Sequence, residues 1–423
     1  MGSMNQTEKA LSLVGKIGGK NGLNCIAELD PTAADQAKAM DENDGRNLPL
    51  RGVPILIKDN IDVKGLHTTA GSLALEDNIA RTDAPVIRNL RRNGAVILGK
   101  TNMTEFANYV TQGMPGGYSS RGGQVLHAVD RKLSCSGSSS GSAVAVAAGI
   151  VPMAVGTDTC HSITACAKFN GICGLKPPAG TLRAEGIIPI ARTLDSAGPM
   201  ARNLTDTLRL YSAMREEPLP ELKPKETSHL RIAVNHANEC NLPEDEKRFI
   251  RLVLGHLKEV GATIGDVTQT HMPELATIMR WEFKPMLEAY LASASASRKT
   301  LAEIVEYYEA HPDTMLKFGD SYLRAALDET PGGFRGKPYL EALAIREETI
   351  ARVTAEIEAF DAVLMTGPTS IMHFCGLPSV TVAAPVKTDE GVDRALILYG
   401  KDEYRLYEAV LAIEQEIFSC FEW

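Results

Sequence analysis

A chain of 423 residues is long enough for one large domain or two to three ordinary ones, and its 44% hydrophobic and 23% charged residues suit a globular protein with a buried core. The formal net charge of −9 argues against nucleic acid or an anionic membrane as the main partner, because both require a basic face. Eight cysteines, spread through the chain without framework spacing, read as reduced thiols of a cytoplasmic protein rather than a disulfide scaffold.

The N-terminal MGSM reads as an expression scar ahead of a natural Met4, and no basic start followed by an apolar core marks a secretion signal. GVPILIKDN is a short apolar run that turns polar, a strand signal with Lys58 at its exit. DAPVIRNLRRNGAVILGKTN reads as a helix with Asp83 near its start and a stop at Gly94, then a strand from Ala95 to Leu98. GSAVAVAAGIVPMAVGTDT predicts a helix of small residues followed by a buried strand. Its apolar run, Ala143 to Val155, is too short to cross a bilayer. The polar stretch from Arg215 to Ser228 has the composition of a surface linker. LRIAVNH and EDEKRFIRLVLGHLKEVGATIGDV repeat strand, helix, strand. From about 279 to 358 the signal is almost wholly helical, as in a cap or an insertion over one face of a sheet. FDAVLMTGPTS and GLPSVTVAA are two further strands, and YRLYEAVLAIEQEIF is a closing helix. Strands alternating with helices over the whole length predict an α/β fold around a mostly parallel or mixed central sheet.

Chemistry concentrates in VGTDTCHSITACAKFNGICGLKP, residues 155 to 177, where hydroxyls, thiols and His161 crowd together. A metal site is disfavoured, since Cys160, His161 and Cys166 lack a paired partner at ligand spacing. GSSSGS at 137–142 suggests an anion cradle ahead of a helix, but the Lys-Ser/Thr ending of a P-loop is missing and no dinucleotide fingerprint follows a strand. Serine nucleophilic catalysis remains. It needs an activated hydroxyl, a base and oxyanion donors. No strand-to-helix nucleophile elbow is read and the histidines form no obvious Ser-His-Asp set. A lysine serves as base when burial lowers its pKa, and Lys58 ends an apolar strand where such burial is expected.

The segments GVPILIKDNIDVKGLHTTAGS, SCSGSSSGSAVAVAAG, VGTDTCHSITACAKFNGICGLKP and GIIPIARTLDSAGPMARN together resemble the amidase signature family, in order and spacing from about Arg51 to Thr205. FDAVLMTGPTS, GLPSVTV and YGKDEYRLYEAVLAIE resemble that family's C-terminal strands and helix. NMTEFANYVTQGMPGGYSSRGGQ, WEFKPMLEAYL and TLAEIVEYYEAH are most similar to its peptide amidase branch.

The resemblance implies a mixed central sheet covered by helices on both faces, in a single domain over 1–423 with the helical region about 279–358 as its divergent part. It implies a Ser–cis-Ser–Lys triad. Lys58 falls on the family base, Ser138 on the bridging serine, and Ser162 on the nucleophile 24 residues later. Ser139 would support the relay, backbone N–H groups of Thr159, Cys160, His161 and Ser162 would form the oxyanion hole, and Asp158 and Asp195 would be structural acceptors nearby. The expected substrates are small-molecule or peptide carboxamides, with C-terminal peptide amides favoured, and no metal or cofactor is implied. Lys100 matches the family and is read as structural. Arg121 either pairs a carboxylate or fixes a loop. Cys135, Cys166 and Cys173 read as small core residues. The departure is Cys160–His161, where the family usually has a small residue or Asp and then Gly. His161 puts an imidazole beside the expected nucleophile, as a substrate contact, an extra acid or base, or an obstacle. Two alternatives stay open: a non-catalytic amidase-fold binding protein disabled by the Cys160–His161 loop, and an amidotransferase-type subunit.

Overall fold

The computed structural model describes residues 2–42 and 47–421. It opens with a helix, a strand and a helix that the patterning did not signal: α1 (Ser3–Leu13), β1 (Ile26–Leu29) and α2 (Ala33–Glu42). The apolar run before Lys58 becomes β2 (Pro54–Lys58), buried at every residue. Helix α3 (Pro85–Arg92) starts on a proline, whose missing N–H costs nothing in a first turn, and it ends ahead of Gly94 at φ +86°. β3 (Val96–Thr101) follows, then a two-residue hairpin of β4 (Tyr118–Ser119) and β5 (Gly123–Gln124).

The small-residue stretch divides as its pattern suggests into α4 (Ser140–Ala147) and β6 (Met153–Asp158). α5 (Thr164–Phe169), β7 (Cys173–Lys176), β8 (Ser196–Ala201) and α6 (Leu204–Met214) come next, the last capped by Asn203 accepting from Asp206 N–H at 2.7 Å. Residues 215–226, the expected linker, carry no helix or strand, yet Leu219 and Leu222 pack on a core and Lys225 Nζ donates to Asp361 at 2.7 Å. β9 (Arg231–Asn235), α7 (Glu244–Glu259) and β10 (Thr263–Val267) match the predicted strand, helix, strand.

The helical region resolves into α8 (Glu274–Ser293), α9 (Leu301–Ala310), α10 (Pro312–Met315), α11 (Ser321–Asp328) and α12 (Lys337–Glu356). α9 begins on a reciprocal cap: Thr300 Oγ1 takes the Glu303 N–H while the Glu303 carboxylate takes the Thr300 N–H. β11 (Ala362–Met365), α13 (Ile371–Phe374), β12 (Ser379–Lys387), β13 (Asp393–Tyr399) and α14 (Glu403–Phe421) complete the chain.

Eleven strands form one mixed sheet in the order β1-β3-β2-β6-β8-β7-β12-β13-β11-β9-β10. β3, β2 and β6 run parallel, as do β11, β9 and β10, and the strands between them pair antiparallel. Successive side chains of a strand face opposite sides, so each strand splits its residues between two cores. On β2, Leu56 packs with α4 and α5, whereas Ile55 and Ile57 pack with α3 and α6. On β11, Val363 and Met365 join a core with Trp281, Leu287, Tyr308 and Val353 of the helical region, while Ala362 and Leu364 face Phe249 and Ile413 of α7 and α14. Helices therefore cover both faces, and the helical region lies against one of them. No described helix is long and apolar enough to cross a membrane.

Candidate active site

Because β2 and β6 are parallel neighbours, their carboxyl ends open at the same edge of the sheet, where α/β folds place their ligands. Lys58 ends β2 and Thr157–Asp158 end β6. The Lys58 side chain is wholly buried and its Nζ donates to Ser138 Oγ at 2.8 Å, Ser139 Oγ at 3.0 Å, Thr157 Oγ1 at 2.7 Å and the Thr157 carbonyl at 3.2 Å. The two serines sit in the loop that enters α4, and the Gly137–Ser138 peptide is cis. Ser139 also braces the strand, since its Oγ bonds Thr157 O at 3.0 Å and Thr157 N at 3.2 Å.

Among the described residues no carboxylate pairs with Lys58. Burial pushes its pKa down to about 7, against a weaker upward pull from Cys166, Asp158 and Asp195. The other conspicuous lysine, Lys100, is buried elsewhere, bonding His67 O at 2.8 Å and facing Asp59 Oδ1 at 3.6 Å. Arg121 lies 3.9 Å from the other oxygen of Asp59, so of its two readings the carboxylate partner is the one present.

Ser162 lies in the turn from β6 to α5 and is 7% exposed. Asp158 shapes that turn: its Oδ2 accepts the N–H of Ile163 at 2.7 Å and of Thr164 at 3.1 Å, satisfying donors that a helix start leaves free. The two serine loops meet where the Ser139 N–H reaches the Ser162 carbonyl at 3.3 Å. The hydroxyls of Ser138 and Ser162 are not hydrogen-bonded to each other among the described residues. Such bonds are often loose in a free enzyme and tighten with substrate bound.

The four amides proposed as oxyanion donors divide. Thr159, Cys160 and Ser162 N–H have no intramolecular acceptor among the described residues. His161 N–H instead donates to Nε2 of His373 at 3.1 Å. His161 has φ +69°, the left-handed region that suits the family's glycine and that histidine adopts more readily than most residues. No motif pointed to His373, which arrives from α13, 212 residues away in the chain.

Thr159 Oγ1 donates to Asp195 Oδ1 at 2.5 Å, and Asp195 Oδ2 takes the amides of Ile190 and Ala191. Burial pushes the Asp195 carboxyl up to about 7 despite those donors. The thiols are poor nucleophiles near neutrality, because burial raises Cys135 to about 11 and Cys160, Cys166 and Cys173 to about 12. A cavity of about 510 Å³ begins at Thr157, Thr159 and Asp195 and extends past Asn60 to Met286 and Tyr290 of α8. Among the described residues no group of His, Cys, Asp and Glu is arranged to hold a metal ion.

Lys58, Ser138 and Ser162 thus gather at the carboxyl edge of the mixed sheet. The family model described as Amidase matches residues 11–376, and the chain belongs to that family of amide-hydrolysing enzymes. A probable amidase of Arabidopsis thaliana is 30% identical over 433 residues, covering 93% of this chain and 83% of the relative. Mandelamide hydrolase of Pseudomonas putida is 35% identical over 320 residues, 73% of this chain and 62% of that enzyme. A glutamyl-tRNA(Gln) amidotransferase subunit of Methanosarcina barkeri is 44% identical over 188 residues, but these span only 44% of this chain and 38% of that protein. The peptide amidase of Stenotrophomonas maltophilia superposes with a TM-score of 0.89 at 30% identity, covering 99% of this chain and 94% of that one.

Proposed function

We propose that the chain hydrolyses carboxamides to a carboxylate and ammonia, with Ser162 as nucleophile, Ser138 as proton bridge and Lys58 as base. The observation that carries this reading is the 2.8 Å bond from a buried Lys58, free of any carboxylate partner, to Ser138 Oγ. A lysine held near neutrality accepts a proton from Ser138 while Ser138 takes one from Ser162. Ser162 Oγ then bonds to the amide carbon, and the carbonyl oxygen gains charge where the free amides of the turn face it. The same chain run backwards protonates the nitrogen as the C–N bond breaks, releasing ammonia. Water, deprotonated along the same route, cleaves the acyl–Ser162 ester.

The cavity lined by Thr159 and α8 does not include Ser162 in its wall but opens beside its turn, and supports an acyl group larger than acetyl. The likeness to a peptide amidase over nearly the whole of both chains favours peptide C-terminal amides as substrates. The test is ammonia release from a panel of simple amides, mandelamide and short peptide amides, with Ser162→Ala beside the parent. Release by the parent alone, with a serine-directed probe labelling the parent and not Ser162→Ala, is the expected result. A parent as silent as the variant sinks the reading, and labelling lost only in Cys160→Ala moves the nucleophile to the thiol.

A further inference from the structure

We infer that His373 is a positioning residue for the nucleophile turn: oriented by Asp158, it accepts the backbone N–H of His161 and so fixes the backbone on which Ser162 sits. The inference rests on the reading of Ser162 as nucleophile and extends it to a residue outside the serine–lysine set.

Three contacts define the arrangement. His373 Nδ1 faces Asp158 Oδ1 at 3.3 Å, without the alignment of a finished hydrogen bond. Both atoms are buried and neither has another partner among the described residues. Buried polar atoms are rarely left unpaired, and an Nδ1–H aimed at the carboxylate satisfies both at once. That proton position leaves Nε2 as a bare acceptor. The second contact demands the same result from the opposite side. Nε2 lies 3.1 Å from the His161 backbone nitrogen, which can only donate. The third is His161 Nδ1, also 3.1 Å from that Nε2, a ring-to-ring contact beside the main-chain bond. The two rings meet edge to face at 76°, with centroids 4.2 Å apart. One imidazole nitrogen thus takes the main-chain N–H of His161 and touches its ring.

The rest of the environment agrees. Burial, helped by His161 and Lys176, holds His373 well below the ordinary histidine range, so it is neutral and keeps a lone pair to offer. Asp158 works at both ends of the turn, Oδ2 on the Ile163 and Thr164 amides after Ser162 and Oδ1 on the imidazole that holds the residue before it. Ser162 is therefore clamped from both sides through one carboxylate. A histidine replaces the expected glycine at φ +69°, and its new side chain supplies a contact glycine lacks. The oxyanion hole of this chain then rests on the amides of Thr159, Cys160 and Ser162.

Two measurements test the inference together. In the unsubstituted protein, ¹⁵N NMR of the histidine side chains should show His373 protonated at Nδ1 and bare at Nε2. In turnover of the best amide, His373→Leu should lower kcat by about 10²-fold, the scale of a misplaced reacting group, with KM little changed. His373→Gln, whose side-chain oxygen can accept the His161 amide, should recover most of the loss. An Nε2–H tautomer overturns the inference. So does an unchanged or raised kcat in His373→Leu, since the imidazole would then be idle or an obstacle, and so does a Gln variant no better than Leu. If the leucine variant fails to fold, the tautomer and the glutamine variant still decide. Failure of the Ser162 reading shows separately, as a silent parent, and leaves the tautomer measurement standing.

Discussion

Burial depresses the pKa of Lys58, and the oxygen atoms that take its protons bring no full negative charge to offset it. A base must lose its proton to work, and a lysine pushed down to about 7 is charged below that pH and neutral above it. kcat/KM, which reports the free enzyme, should therefore fall on the acid side along a one-proton limb centred near pH 7. Asp195 is also raised to about 7, so the limb has two candidate owners. Asp195→Asn separates them. If Lys58 owns the limb it persists and moves to lower pH, because a neighbouring charge that favours the protonated lysine has gone. Disappearance of the limb gives it to Asp195. Lys58→Ala should lower acylation by about 10²–10⁴-fold, the usual worth of a general base, measured as the rate of probe labelling.

Of the residues proposed for catalysis, Lys58 could be read from its strand exit, whereas Ser138 and Ser162 were assigned by the resemblance to the family; the structure brings Ser138 Oγ to 2.8 Å from Lys58 Nζ. His373 was not legible. IMHF carries no pattern of its own, and the histidine acquires meaning only through a contact with His161 that tertiary folding creates.

Elements followed the same logic. Apolar runs bounded by turn residues became β2, β6, β9 and β11, and the 3.6-residue patterns became α7 and α14. Among the strands the patterning missed, β8 is the least expected, for its sequence SAGPMA has almost no strand character. Yet it lies in the middle of the sheet, buried at all six residues, with Pro199 opposite Val155. Proline is normally kept to sheet edges, since it gives up a ladder bond. Here close approach dominates: a Cβ on Gly198 would sit 2.1 Å from the Leu175 carbonyl, so only small residues let β7 and β8 pair.

A second unread feature is the left-handed turn of Phe106, Ala107 and Asn108, at φ +44°, +55° and +71°, with Ala107 on the wall of the cavity. Asn108 is exposed, and asparagine tolerates this conformation better than most residues. Asn108→Ala should therefore cost about 1 kcal/mol by urea unfolding, and Asn108→Gly should not. Equal loss in both would mean that the Asn108 side chain, not its backbone, matters.

At the scale of the molecule, the helical region is tied to the sheet through a buried carboxylate. Glu105 accepts from Ser120 N–H at 2.6 Å and Ser120 Oγ at 2.9 Å, and Tyr308 of α9 donates its hydroxyl to the same group. Burial pushes the Glu105 pKa up. Tyr308→Phe removes one donor from a carboxylate that water does not reach, and should lower global stability by about 1–3 kcal/mol. A loss near zero would show that the helical region is held by its apolar core alone. That core joins Trp281, Leu287 and Tyr308 to Val363 and Met365 of β11.

The clamp on the nucleophile turn also constrains how this sequence can change. With His161 in place, His373 meets both its main chain and its ring; with glycine there, the main-chain bond stays and the ring contacts vanish. The ring contacts exist only when both histidines are present, so the cost of either substitution depends on the other. In a double-mutant cycle, His161→Gly and His373→Leu should show a coupling of about 0.5–3 kcal/mol in stability, as contacting residues do. Near-zero coupling would mean the two sites change independently. If the coupling is present, what histidine or glycine at 161 does to this chain is set in part by a residue 212 positions away.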